Sequence, residues 1–290
     1  MAQTHYAKPV LPFSLVAFDL DGTVLDTVKR TISIRVQDAL KATRRHGAQT
    51  AVVSGRPFHM LGDTLLTASW VDWLVTTNGA LIINAHTRKH VFESAMPREL
   101  LWSIFSDLAD LEPAWMACSE FTSYREKRGI TYLAGASGST LNTNNLKQIM
   151  EVLSDVNFVD SLSSSLEKIS VPIYKMGVSF PDHTRAIEAT KRLQARGDLE
   201  VFIMSPFELE ITVRGVDKGT AIEHLCKNSN LDISRSVAFG DSGNDISMSG
   251  HAGTFVAMAN GDKLIRAAAD CICPSITQDG VAVWLEDRMC

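Results

Sequence analysis

Two aspartates one residue apart open the chemistry of this chain, in the run Asp19-Leu20-Asp21-Gly22-Thr23. On extended backbone, carboxylates at i and i+2 face the same way, and Gly22 then permits a sharp turn. Acids this close repel, so they need a cation or a shared proton. A hard cation such as Mg²⁺ takes oxygen ligands and keeps water and phosphate oxygens in its shell. The plainer alternative is a strand-to-turn junction with solvated acids. A second acidic run, Gly240-Asp241-Ser242-Gly243-Asn244-Asp245, places two more carboxylates and an amide in a glycine-loosened loop. An Asx-rich turn explains its glycines, but not why both acids sit beside an apolar stretch.

Two further polar runs could handle an anion. In Ser54-Gly55-Arg56-Pro57 the chain enters a helix start, where free amides and the helix dipole favour negative charge and the Ser54 hydroxyl adds a donor. Ser54 could equally be a plain helix N-cap. Lys218-Gly219 puts a cation at another helix start, against the dipole. A bound phosphate would compensate it, and an exposed lysine reaching solvent is the ordinary alternative.

These runs need elements to position them. Leu15–Phe18, Ala51–Val53, Ser236–Phe239 and Thr254–Val256 are short apolar stretches, as buried parallel strands are. Helical spacing predicts helices over Thr31–His46, from Pro57 through Asp63 to Ala68, over Lys218–Lys227 and over Asp262–Ala269. Trp73–Val75 and Ala80–Ile83 are expected strands around the Asn78–Gly79 turn. Such alternation implies a parallel sheet with helices on both faces, whose ligands bind at the carboxyl ends of the strands. Each polar run follows such a strand, or opens the helix after one.

The middle of the chain differs. Glu99–Leu108, Asn145–Leu153 and Thr184–Arg196 read as helices, with strands at Ile173–Phe180, Leu199–Ile203 and Glu208–Val213. Serine-rich Ser161–Ser165 reads as a loop. The expected architecture is α/β: a Rossmann-like parallel-sheet core of residues 1–85 and 212–290, with an inserted α+β domain of residues 86–211.

Composition narrows the function. At on the order of 100–200 residues per domain, 290 residues suit this two-part plan. A net charge of −5 offers no basic stripe for nucleic acid. No apolar run reaches the roughly 18 residues that cross a membrane, and the stretch before Asp19 lacks a signal-peptide pattern. Five scattered cysteines suggest a reducing compartment, hence a cytoplasmic protein. Cys271 and Cys273 could share one side of a strand, but a zinc site there would lack a second ligand pair.

Taken in order, Asp19-Leu20-Asp21-Gly22-Thr23, Val53-Ser54-Gly55-Arg56-Pro57, Asp217-Lys218-Gly219 and Gly240-Asp241-Ser242-Gly243-Asn244-Asp245 resemble the four motifs of the haloacid dehalogenase (HAD) superfamily of phosphatases. The Thr77-Asn78-Gly79-Ala80 turn and the long insert resemble its Cof-type branch, subfamily IIB. The resemblance implies a Mg²⁺-dependent phosphatase acting on a small phosphorylated metabolite, a sugar phosphate by preference, through an aspartyl-phosphate. It makes Asp19 the nucleophile and Asp21 the general acid and base. It gives the metal to Asp19, Asp21, Asp241 and Asp245. It gives the phosphate to Leu20, Ser54, Gly55, Lys218 and Asn244. Arg56 and Asn78 are further substrate-contact candidates near the mouth, and the insert is a cap. Trp115, Phe121 and Tyr124 in the cap are either pocket-lining or core. His59, His183 and His251 read as structural, Met248 and Met258 as core. The expected assembly is a monomer or homodimer. A phosphomutase of the phosphomannomutase type and a non-catalytic phospholigand sensor are the alternatives.

Overall fold

The computed structural model describes residues 13–136 and 156–289. Its larger sheet has eight strands in the order Cys271–Cys273, Thr254–Met258, Ser236–Gly240, Leu15–Phe18, Gln49–Val53, Trp73–Thr76, Leu81–Asn84 and His90–Glu93. The first six are mutually parallel, Leu81–Asn84 runs antiparallel to them, and His90–Glu93 pairs antiparallel with Leu81–Asn84. Leu15–Phe18 is buried throughout because both faces are covered. Val16 and Phe18 join one hydrophobic cluster, with Leu40, Leu74, Phe239 and Trp284. Leu15 and Ala17, pointing the other way, join a second with Ile222, Leu225 and Phe255.

The chain leaves Leu15–Phe18 in one direction, through Gln49–Val53 and Trp73–Thr76. It returns on the other side at Ser236–Gly240. The reversal opens a crevice at the carboxyl ends of Leu15–Phe18 and Ser236–Gly240. Both acidic runs begin there.

The second sheet has six strands, in the order Val156–Val159, Ser123–Glu126, Ala114–Cys118, Lys175–Ser179, Glu208–Val213 and Leu199–Ser205. One face carries Trp115, Ala117, Met176, Val178, Leu209 and Ile211 in a separate hydrophobic core. The helices Arg98–Leu108 and His183–Arg196 contribute Leu101, Ile104 and Phe105, and Ala186, Ala189 and Leu193, to it. Alternation puts Lys175, Glu208 and Glu210 on the opposite face. The larger sheet runs on past residue 85 to take in His90–Glu93 before the chain crosses over.

Several expected elements differ. The helix expected from Thr31 starts at Ile34, because the Ser33 hydroxyl caps it by accepting from the Val36 amide at 3.1 Å. Thr31–Ile32 pairs instead with Leu25–Asp26 in a small hairpin. The helix expected from Pro57 to Ala68 is split into a 3₁₀ turn, Phe58–Met60, and a short helix, Asp63–Leu66. Gly62 at φ +81° breaks it. Ser161–Ser165 is not a loop: Leu162–Leu166 is helical, with Ser161 as its N-cap and two buried leucines one turn apart. The expected helix Asn145–Leu153 lies outside the described residues. Among the described residues, no helix is long and apolar enough to cross a membrane. Cys118, Cys226, Cys271 and Cys273 are all free thiols.

Candidate active site

The strand ends bring the acids together. The Asp19 amide donates to Phe239 O at 2.9 Å, extending the parallel ladder and setting Asp19 beside the Gly240 loop. Gly22 turns the chain at φ +87°, and a Cβ there would lie 2.1 Å from Asp241 Oδ2. Only glycine lets the two acidic loops approach this closely. The Thr23 hydroxyl donates to Asp241 Oδ1 at 3.0 Å, and Asn260 holds the Gly22 carbonyl at 2.8 Å. Asp245 closes its own loop, with Oδ2 accepting from the Asp241 and Ser242 amides at 3.0 Å each.

Lys218 enters this cluster from the start of the helix Lys218–Asn228, whose N-terminus is set by a capping box between Asp217 and Thr220. Its side chain is 1% exposed, with Nζ 2.7 Å from Asp19 Oδ1 and 2.5 Å from Asp245 Oδ1. From the sequence, a bound phosphate or solvent is expected to offset this cation. In the structure two buried carboxylates offset it. Burial alone would lower the pKa of the ammonium, but Asp19 and Asp245 outweigh burial and hold it above the ordinary lysine value. Burial pushes the Asp19 carboxyl well above its usual range, Lys218 opposes this, and Asp245 adds to it. Asp241 is pushed up to about 6, by burial first and then by Asp245.

Asp19, Asp241 and Asp245 can present carboxylate oxygens within 4.8 Å of one another. Among the described residues no other group of His, Cys, Asp and Glu is this well placed for a metal. With all three carboxyls ionised, one ammonium leaves an excess of two negative charges, in a site built of hard oxygen donors. That donor set and charge fit a divalent cation of the Mg²⁺ type. Cys271 and Cys273 form no such group; the Cys273 thiol is packed 3.3 Å from Met258 Sδ, and burial raises it to about 12.

The Ser54 loop sits beside the acids. Ser54 is buried, and its hydroxyl oxygen accepts from the Arg56 amide at 3.1 Å. That bond spans two residues of a turn and caps no helix, and among the described residues the Ser54 hydroxyl donates to no acceptor. The Gly55 Cα faces Asn78, Glu210 and Asn244, whose nearest atoms would lie 2.8, 3.4 and 3.5 Å from a Cβ. Arg56 grips Asp21 in a two-pronged pair, Nε to Oδ2 at 2.7 Å and Nη2 to Oδ1 at 2.5 Å. Asn78 sits at φ 56° in the turn before Leu81–Asn84. It is fully buried and donates to Glu210 Oε2 at 2.7 Å. Asn244 donates to Asn78 Oδ1 at 3.2 Å.

All four motifs therefore meet at one crevice. Thr23 has no role of its own in the sequence reading, and Asn260, Lys175 and Glu210 are not singled out there. A legible signal for the last was Glu208-Leu209-Glu210 in an expected strand, since acids at i and i+2 face one side. Trp115 is core, packed edge-on to Phe105 at 4.9 Å, and Tyr124 packs against the same cluster. Phe121 is exposed, with its edge on Phe58. His59 ties the Pro57 turn to the second sheet, Nδ1 facing Glu120 O at 2.9 Å and Nε2 facing the Ser123 hydroxyl at 3.2 Å. His251 pairs with Glu223 at 2.8 Å, His183 lies near the Phe207 ring, and Met248 and Met258 are buried.

Comparison with known proteins gives a consistent match. A family model described as haloacid dehalogenase-like hydrolase matches residues 16–285. Phosphatase YwpJ of Bacillus subtilis is 26% identical over 92% of this chain and 97% of its own length. A haloacid dehalogenase-like hydrolase from B. subtilis superposes with a TM-score of 0.81 at 24% identity, covering 94% of this chain and 99% of that one. The HAD subclass IIB sugar phosphatase BT4131 superposes with a TM-score of 0.77 at 21% identity, covering 94% and 98%.

Proposed function

This chain belongs to the haloacid dehalogenase-like hydrolases, and from that membership we propose that it is a Mg²⁺-dependent phosphatase of a small phosphorylated metabolite, a sugar phosphate by preference, working through an aspartyl-phosphate. Hydrolysis of a phosphoric monoester is its reaction class. The observation that carries the proposal is Lys218, a buried ammonium bridging Asp19 and Asp245 where two acidic loops converge.

In this reading Asp19 attacks phosphorus, the bond from phosphorus to the leaving oxygen breaks, and Asp21 protonates that oxygen. Asp21, now a carboxylate, then takes a proton from water as the water attacks the aspartyl-phosphate, releasing phosphate and restoring Asp19. The Ser54 hydroxyl, the Lys218 ammonium, the Leu20 and Gly55 amides and the Asn244 amide hold the phosphate oxygens. Arg56 holds Asp21 as a carboxylate until substrate arrives; Asp21 then leaves that pair and takes up from solvent the proton it gives to the leaving oxygen. Asp19, Asp241 and the Asp21 carbonyl would hold the metal. Asp245, whose oxygens are already occupied, supports that shell by fixing Lys218 and the Asp241 amide. Bound there, Mg²⁺ would shield the phosphate charge from the attacking carboxylate. The second sheet acts as a cap, entered after Glu93 and left after Val213, that excludes water and selects the leaving group. A cytoplasmic location belongs to the same proposal and is supported by the free thiols.

The test is phosphate release from a panel of phosphomonoesters, with and without Mg²⁺. Release that needs Mg²⁺ is expected; a saturated panel yielding none would sink the reading. A requirement for a bisphosphorylated cofactor would mark a mutase instead.

Metal binding has its own readout. Asp241 titrates near 6 in the folded, metal-free chain against about 4 unfolded. Between those values the native state binds the extra proton, so this group's contribution to stability falls as pH rises from about 4 to about 6. Mg²⁺ takes the proton's place. Its stabilisation should therefore grow across that window and reach about 2.7 kcal/mol at a hundredfold excess over Kd. Thermal melts of wild type and Asp241→Asn, in chelator and in Mg²⁺, check this; equal Mg²⁺ shifts in both proteins would exclude Asp241 as a ligand.

A further inference from the structure

Lys175 is a second buried cation, on the second sheet and outside the acid cluster. It is 2% exposed. Its ammonium crosses to the Gly55 carbonyl at 2.6 Å and also bonds the Glu210 carboxylate. Glu210 Oε2 accepts from Asn78 Nδ2, Asn78 Oδ1 accepts from Asn244 Nδ2, and Asn244 Oδ1 accepts from the Ser242 hydroxyl at 2.8 Å. These groups form one continuous chain from the second sheet to the acidic loop.

The chain has a direction. A carboxylate paired with an ammonium offers only acceptors. Asn78 must therefore turn its NH₂ towards Glu210 and its oxygen towards Asn244. Asn244 must then turn its NH₂ towards Asn78 and its oxygen towards Ser242. Reversing the Asn78 amide alone would set oxygen against oxygen at Glu210. One N–H of Asn244 serves Asn78, and among the described residues its amide nitrogen makes no other hydrogen bond.

We propose that Glu210 is a positioning residue: held by Lys175, it fixes through Asn78 the orientation of the Asn244 amide, so that Asn244 offers an N–H to the phosphoryl group when the second sheet is docked on the Ser54–Gly55 loop. This rests on the phosphohydrolase reading, in which Asn244 contacts phosphate. With glutamine at 210, either end of the residue can face Asn78. Asn78 and Asn244 can then reverse together, and Asn244 presents an oxygen lone pair to an anion.

The experiment is calorimetric titration of the full chain with inorganic phosphate in Mg²⁺, for wild type, Glu210→Gln, Asn244→Ala and the double variant, with a thermal melt of each. Glu210→Gln should weaken phosphate about tenfold, nearly as much as Asn244→Ala, as expected for loss of a hydrogen bond to a charged group. The double variant should bind no more weakly than Asn244→Ala, because both changes remove one interaction. Unchanged phosphate affinity in Glu210→Gln, additive losses in the double variant, or a lowered Tm with intact affinity would each overturn the proposal. Should Glu210→Gln alone fail to fold around an unpaired Lys175, the pair Lys175→Met with Glu210→Gln removes that buried cation and should show the same loss. Titration does not need turnover, so a wild type that binds phosphate but hydrolyses no ester would remove the hydrolase reading alone.

Discussion

Asp19→Asn is expected to fold, to bind inorganic phosphate, and to release phosphate from esters roughly a thousandfold or more slowly than wild type. The substitution keeps the shape of the side chain and can still accept from Lys218 Nζ, which lies 2.7 Å from Oδ1. What it removes is the anionic oxygen that would bond to phosphorus, and an amide is a far weaker nucleophile. It also removes one of the three carboxylates of the cluster, so Mg²⁺ should bind less tightly and its melting shift should shrink. Single-turnover assays with a labelled ester should find no acid-stable phosphoryl group on the variant. Near-wild-type release by Asp19→Asn in Mg²⁺ would exclude Asp19 as nucleophile, whatever the fold.

Lys218→Ala should show the largest combined effect on stability and turnover. The ammonium is buried between Asp19 and Asp245, which are themselves 6% and 0% exposed. Removing it leaves two buried carboxylates without their cation, a change that typically costs about 3–5 kcal/mol. It also removes a positive charge from the place where phosphoryl charge develops, worth on the order of a hundredfold or more in rate. The two losses are separable. In the pair Lys218→Met with Asp245→Asn, the cation and one of its partners become neutral together, so most of the stability should return. Turnover should not. Chemical denaturation followed beside phosphate release reads both; if turnover returned with stability, Lys218 would be a structural ion-pair partner and not part of the phosphate site.

The fold class and the position of the crevice were legible because they depend on local patterns. Short apolar runs such as Leu15–Phe18 and Ser236–Phe239 announce buried parallel strands, and polar runs directly after them mark the ends where such sheets bind ligands. Helix boundaries were less legible where one side chain decides them. Ser33 and Ser161 each start a helix through a single cap bond, and Gly62 stops one through a single dihedral.

By itself the sequence determined which groups are present at the crevice and in what order they arrive: Asp19 and Asp21, then Ser54, Lys218, and Asp241 with Asp245. Partners were decided only by the tertiary structure. Lys218 finds Asp19 across 199 residues, Lys175 finds Gly55 across 120, Asn78 finds Glu210 across 132, and Arg56 closes on Asp21 across 35. None of these pairings leaves a local periodicity, because each depends on how the sheet reverses its strand order and on how the second sheet lies over it. Spacing along the chain fixes which way a side chain faces; what it meets there is set by packing between distant elements.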